Sequence, residues 1–289
     1  MSWDNKSNVE EPSKDNATMD WVYGKVDTSS LSTVFCAVHG FDGVGKSGFC
    51  IDCRTPQEVK EGKKVIVIDL DGGCINTHLV YHNADPNIIV RNPLVKIGKD
   101  IDYQATYDRI LEVLTVIDKT YKEQNVKALI FDGMDNLLKV CEQLMRKALN
   151  KEPTDSIMPM FWGARTKLYN SVLEIIKHIN VDRYLITHDK KDEDRDAKGN
   201  VINSKWIPDW EKKTADKLEQ IFKINKTTQV VNGDTIVKQI AYVEKFKDNI
   251  LMVGRNFPIS EVIHKKDGTT TSKWFGLRII GHELVIGNK

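Results

Sequence analysis

The chain is short of several things, and each shortage narrows what it can be. Five cysteines in 289 residues, at positions 36, 50, 53, 74 and 141, are too few and too irregular for a disulfide framework, so a reducing compartment fits. No apolar run approaches the roughly 18 residues of a membrane span. The start, "MSWDNKSNVEEPSKDN", lacks the basic opening and apolar stretch of a signal peptide. No membrane association and a cytoplasmic location are therefore expected. A strong excess of charge of either sign is also missing. The formal net charge is +1, so any nucleic-acid site must be local rather than a property of the whole surface.

What is present is the material of a core. Hydrophobic residues make up 40% and charged residues 29%. The runs "TVFCAVHG" (33–40), "KKVIVIDLDGG" (63–73), "NIIV" (87–90), "KALIFDG" (127–133) and "RYLITHD" (183–189) read as strands. They are continuous rather than alternating, as befits strands covered on both faces of a mostly parallel sheet. Tyr107, Ile110, Leu114, Ile117 and Tyr121 follow helical spacing, as do Tyr169, Val172, Ile176 and Ile179. Strand alternating with helix is the order of a three-layer α/β domain. Residues 1–30 are expected to be an acidic tail, 31–250 the core and 251–289 a small β extension. Asn232–Gly233 marks a hairpin turn. The charged stretch from Asp189 to Trp210 has no period and is expected to be a long mobile loop.

Gly40, Phe41, Asp42, Gly43, Val44, Gly45, Lys46 and Ser47 spell G-x-x-x-x-G-K-S directly after the first strand. In that context the glycines let backbone N–H groups turn in on phosphates. Lys46 would reach the β- and γ-phosphates, and the Ser47 hydroxyl would ligate Mg²⁺. "ALIFD" then supplies a carboxylate, Asp132, at another strand's end for the same metal. The guanine-reading N-K-x-D is absent, since "NKTT" at Asn225 lacks the aspartate. ATP with Mg²⁺ is expected.

With these motifs in order, the chain resembles the RecA/RadA-like ATPases, above all their compact phage and archaeal-virus versions acting as recombinases or single-strand annealing proteins. The resemblance spans roughly residues 32–249 and implies a three-layer RecA-like P-loop core with a mostly parallel sheet. In "VIVIDLDGG" it implies that Asp71 polarises the attacking water, where many relatives carry glutamate, with Asp69 and Asp135 as alternatives. A helix-capping role for Asp71 stays open beside that one. In "YLITHD" it implies that His188 senses the γ-phosphate. In "VEKFKDN" it implies that Lys245 and Lys247 reach the ATP of a neighbouring subunit in a filament or ring, although lysines guarding a strand edge would look the same.

In this family two loops carry DNA. Here they would present Phe161, Trp162 and Arg165, and then Lys190, Lys191 and Arg195, aromatics and cations being suited to single-stranded DNA. Phe161 and Trp162 could equally anchor the next helix. Cys50, Cys53, Cys74 and His78 have finger-like spacing, but they fall where core packing is needed, and packing is the expected role. A DNA-stimulated ATPase is thus the leading expectation. A small-molecule kinase with a lid at Asp189–Trp210, and an ATP-switched interaction module without DNA, remain as alternatives.

Overall fold

The computed structural model describes residues 33–196, 199–280 and 283–287, with Arg195 given in its backbone alone. The expected tail, residues 1–30, lies outside the described residues.

The first half of the chain alternates as expected. It runs through β1 (Phe35–Gly40), α1 (Lys46–Ile51), α2 (Pro56–Lys60), β2 (Lys64–Asp69), α3 (Cys74–Tyr81) and β3 (Ile88–Arg91). A small hairpin, β4 (Lys96–Ile97) and β5 (Asp100–Ile101), leads into α4 (Tyr103–Thr120). Then come β6 (Val126–Asp132), α5 (Met134–Ala148), α6 (Trp162–His178) and β7 (Asp182–Arg195). The second half is mostly strand: β8 (Val201–Pro208), the short α7 (Thr214–Lys217), β9 (Gln220–Val231), β10 (Asp234–Phe246), β11 (Asn256–His264), β12 (Thr270–Trp274), β13 (Leu277–Ile280) and β14 (Glu283–Ile286).

One sheet has the order β12-β11-β10-β9-β1-β7-β6-β2-β3, with β8 added to β7. The stretch from β9 to β3 is parallel throughout. From β10 to β12 the sheet turns antiparallel, so most of the C-terminal β material continues the central sheet. β13 and β14 form a separate two-stranded sheet. This is the expected α/β class: a mostly parallel sheet between helices, with antiparallel strands at the C-terminus.

Alternation along each strand fills two cores. Phe35 and Ala37 of β1 face α4, α5 and α6 and join Ile110, Leu114, Leu137, Tyr169 and Ile176. Val34, Cys36 and Val38 face the other way and meet Phe49, Cys50, Ile51 and the antiparallel strands' Ala241, Val243 and Ile259. With both faces covered, the strands need apolar residues at every position, which explains the continuous runs. All five cysteines are buried and unbridged. His78 Nε2 is hydrogen-bonded to the Asp85 carbonyl, and Cys50 and Cys53 sit in the core. Cys50 and Cys53 therefore serve as packing, as expected.

One expectation is corrected. Asp189–Trp210 is not a structureless loop. β7 runs on past the sheet to Arg195 and folds back through β8, pairing Asp189 with Pro208 and Lys191 with Trp206. The turn closes where Asp196 N–H donates to the Asn200 carbonyl and Gly199 takes φ 85°. Because the hairpin projects from the sheet, its strands carry charge where buried strands carry aliphatics. The other expected turn holds: Asn232 and Gly233 have φ 54° and 86°, joining β9 to β10 in two residues.

Candidate active site

The parallel strands all end at one edge, and in open α/β sheets that edge is where ligands bind. Gly40 ends β1 and is in register with His188 of β7. Asp69 and Asp132 end β2 and β6 and are likewise paired. Residues more than a hundred positions apart are thereby placed around the Gly40–Ser47 loop. The loop itself needs its glycines. A Cβ on Gly40 would lie 2.4 Å from the Ile224 carbonyl oxygen, and one on Gly45, at φ 94°, would lie 2.7–2.8 Å from the Gln239 carboxamide.

Lys46 is buried, and its Nζ donates to the carbonyls of Gly40 (3.1 Å) and Phe41 (2.8 Å). Burial lowers its pKa, against the opposing pull of Asp132, Asp42, Asp71 and Asp135. The Ser47 hydroxyl donates to Asp132 Oδ2 at 2.7 Å. Burial raises the Asp132 carboxyl, while hydrogen bonds from Cys74 and Ser47 hold it back. Hydroxyl and carboxylate oxygens together are a hard donor set of the kind Mg²⁺ takes. Nearby, Asp135 Oδ1 is buried with no hydrogen-bond partner among the described residues. The residues present thus fit a divalent cation. Cys74 Sγ shares the same Asp132 oxygen at 2.9 Å, a neighbour that spacing alone did not reveal.

The two aspartates after β2 have separate tasks. Asp69 accepts backbone N–H groups from Gly72 (2.7 Å) and Cys74 (2.9 Å), so it is the residue that holds the turn into α3. Asp71 is free of that duty. Its Oδ1 accepts from the Asn136 amide at 3.2 Å, and its Oδ2 lies 3.7 Å from His188 Nε2.

His188 is the hub. Its Nε2 is 2.6 Å from Asp42 Oδ1 in the phosphate loop, and its Nδ1 is 3.4 Å from Asp135 Oδ2. The Asp135 hydrogen bond raises the imidazole pKa above its ordinary value, against burial and the Lys46 charge. Burial pushes the Asp135 carboxyl up, but its hydrogen bond and charge interaction with His188 outweigh burial and the carboxyl is lowered. Behind the loop lies a residue that sequence reasoning missed. His39, buried in β1, is bracketed by Asp189 Oδ1 at 2.6 Å and Glu244 Oε2 at 3.0 Å. Carboxylate oxygens accept, so the two contacts together suit an imidazole that donates from both nitrogens. Burial lowers the His39 pKa, but the two carboxylates outweigh it and the net shift is upward.

The remaining expected residues fall outside this cluster. Lys245 donates to the Ala215 carbonyl of its own chain, and Lys247 lies just past the end of β10. A register shift lies between Val243 and Lys245, and Glu244 within it reaches His39. Phe161 ends a short 3₁₀ turn and Trp162 opens α6. Arg165 stacks over the Trp162 ring at 4.6 Å and pairs with Glu211 at 2.8 Å. Lys190 pairs with Asp209, and Lys191 with Glu193. The Arg195 side chain is outside the described residues. The β7–β8 hairpin touches the phosphate loop through Trp206, whose ring meets Phe41 edge-on at 4.7 Å between centroids.

Residues 33–245 match the AAA domain family. Among solved structures, the chain is similar to the KaiC-like protein PH0186 from the hyperthermophilic archaea Pyrococcus horikoshii OT3. The two share 12% identity over 84% of this chain and 90% of that one, with a TM-score of 0.43. No curated protein matches the chain.

Proposed function

The chain belongs to the AAA domain family and has a P-loop ATPase fold, and from that premise we propose that it is a RecA-like ATPase acting on single-stranded DNA in recombination, repair or replication. The observation that carries the ATPase reading is the convergence on one sheet edge of Lys46, the Ser47–Asp132 pair and His188 with Asp71. In this reading Lys46 steadies the charge of the transferred phosphoryl group, and Asp71 orients and deprotonates the attacking water. Ser47 and Asp132 would hold Mg²⁺, which when bound would supply positive charge to offset that of the phosphates. His188, bonded to Asp42 of the loop, is placed to exchange that partner for the γ-phosphate.

The DNA reading rests on how β7 continues. The strand that carries His188 runs unbroken into the hairpin that carries Lys190, Lys191 and Trp206. Trp206 in turn rests on Phe41 of the phosphate loop. A change at the γ-phosphate therefore has a stiff path to a projecting surface with aromatic and cationic side chains, as single strands require. Assembly into a filament or ring belongs to the same reading. Lys245 and Lys247 would enter a neighbour's site once Lys245 leaves the Ala215 carbonyl.

A second reading has its own support. Arg165, Lys190 and Lys191 are each matched by an acid, which leaves less cationic surface for phosphates. The same hairpin could then serve as an ATP-switched contact for a protein. Filter binding of labelled single-stranded DNA, with phosphate release measured alongside, separates the two. Retention that falls steeply with salt, together with faster hydrolysis, supports DNA. Hydrolysis unaffected by DNA, with no retention at low salt, refutes it.

A further inference from the structure

The antiparallel half of the sheet supplies Glu244 and Lys245 to the readings above, and three further residues of it form a row beside the phosphate loop. Gln239 of β10 is in register with Ser260 of β11, and Ser260 with Trp274 of β12. Register partners project from the same face of a sheet. The Gln239 carboxamide lies on Gly45, within 2.7–2.8 Å of where a Cβ would be, and the Trp274 ring edge comes within 3.7 Å of the equivalent point on Gly48. Both ends of the row therefore meet the helix-opening residues that flank Lys46 and Ser47.

The row is held in place. Ser260 Oγ donates to Gln239 Oε1 at 2.6 Å, which leaves Nε2 as the available donor. Among the described residues no hydrogen bond uses that nitrogen. The β10–β11 pairing shifts register between Gln239 and Ile240, and such bulges re-aim side chains and gather near active sites. Trp274 Nε1 donates to Asp52 at the end of α1, and Arg278 reaches the same carboxylate. The indole is thereby fastened to the phosphate-loop helix.

Topology fixes which end of a nucleotide this row would meet. His188 and Asp132, the γ-phosphate and metal residues, come from β7 and β6 on one side of β1. Gln239, Ser260 and Trp274 come from β10–β12 on the other. A neutral carboxamide donor and an indole suit a ribose and a base better than a phosphate chain, which the loop's own N–H groups already serve. We propose that the Gln239–Ser260–Trp274 row is the nucleoside-binding side of the ATP site. Gln239 Nε2 donates to the ribose or base, and Trp274 provides apolar ring surface. The proposal rests on the ATP reading above and adds to it the residues that distinguish a nucleotide from bare polyphosphate.

The test compares ligands with and without a nucleoside. Dissociation constants for ATP, ADP and inorganic tripolyphosphate are measured by titration calorimetry on the full chain and on Gln239→Ala and Ser260→Ala, with melting temperatures as the folding control. Gln239→Ala should weaken ATP and ADP alike by about three- to tenfold, the worth of one hydrogen bond, and leave tripolyphosphate unchanged. Ser260→Ala should move the same two ligands in the same direction by less. Equal weakening of tripolyphosphate means that Gln239 only braces the loop, and unchanged ATP and ADP means that it touches no ligand. Either result overturns the proposal. If the unaltered chain binds neither ATP nor tripolyphosphate, the phosphate cradle fails first and the row falls with it. Tripolyphosphate bound without any gain from the nucleoside overturns the row alone.

Discussion

His39→Gln tests the buried charge cluster behind the phosphate loop. The substitution keeps a polar side chain but removes the cation between Asp189, whose side chain is fully buried, and the partly exposed Glu244. Asp189 keeps Lys223 at 3.3 Å, so its charge is not left wholly unmatched. Removing one partner of a buried pair costs about 3–5 kcal/mol, and the surviving lysine puts this case near 3 kcal/mol. For a domain of this size that is a fall of about 6–12 °C in melting temperature. The pH dependence carries a sign. Because the folded pKa of His39 is raised, its contribution is complete below the ordinary imidazole value of about 6.5 and is lost as pH rises through the folded value. Burial pushes Asp189 up, but His39 and Lys223 outweigh it and the carboxyl is lowered. Its share is complete above the ordinary carboxylate value and lost as pH falls through the folded one. The gap between wild type and variant should therefore be widest between about pH 4 and 6.5 and close above that. Calorimetric melts at pH 6 and pH 8.5 measure it. A gap under about 2 °C at pH 6, or one that widens with rising pH, would refute a protonated bridge.

Three further outcomes follow from the same geometry. Lys46→Ala should abolish phosphate release while shifting the melting temperature by only a few degrees, because among the described residues Nζ bonds only two loop carbonyls; unchanged turnover would remove the phosphate-loop assignment. Asp71→Asn should lower kcat by about 10²–10⁴ with ATP affinity unchanged, whereas Asp69→Asn should chiefly cost stability by loosening the turn at Gly72 and Cys74, a contrast that single-turnover kinetics and melts together resolve. Trp206→Ala removes the ring on Phe41, so hydrogen exchange at residues 189–208 should quicken; unaltered protection there would show that the hairpin is held by its own pairing alone.

Some of this was legible in the sequence because the signals are local. A strand buried on both faces must be apolar throughout, and a loop that wraps phosphates must place glycines at fixed positions, so β1, β2, β6 and the Gly40–Ser47 loop could be read directly. The β7–β8 hairpin could not. Away from the core no apolar alternation is needed, and cross-strand pairs such as Asp192 with Lys205 look in sequence like solvated charge. The His39 cluster was hidden for another reason. Glu244 is 205 residues away, and it reaches the histidine at a register shift that no alternation rule anticipates. Gln239 likewise reads as one polar residue in a strand until folding lays it on Gly45. Asp69 and Asp71 show the converse limit: the sequence marks both as acids beyond a strand, and only the backbone N–H groups around them decide which one holds the turn.

β7 is one uninterrupted strand of 14 residues, clamped between β1 and β6 over its first half and free of them over its second. His188 sits where the clamp ends. On the proposed role of His188, a strand so held would act as a lever with its fulcrum at the nucleotide. The arm from His188 to Arg195 is about 23 Å at roughly 3.3 Å per residue, and a tilt of about 10° at the fulcrum would sweep its tip by about 4 Å. On that proposal, the loss or gain of a single phosphate beside the imidazole would be read at the hairpin's end as a movement larger than a water molecule.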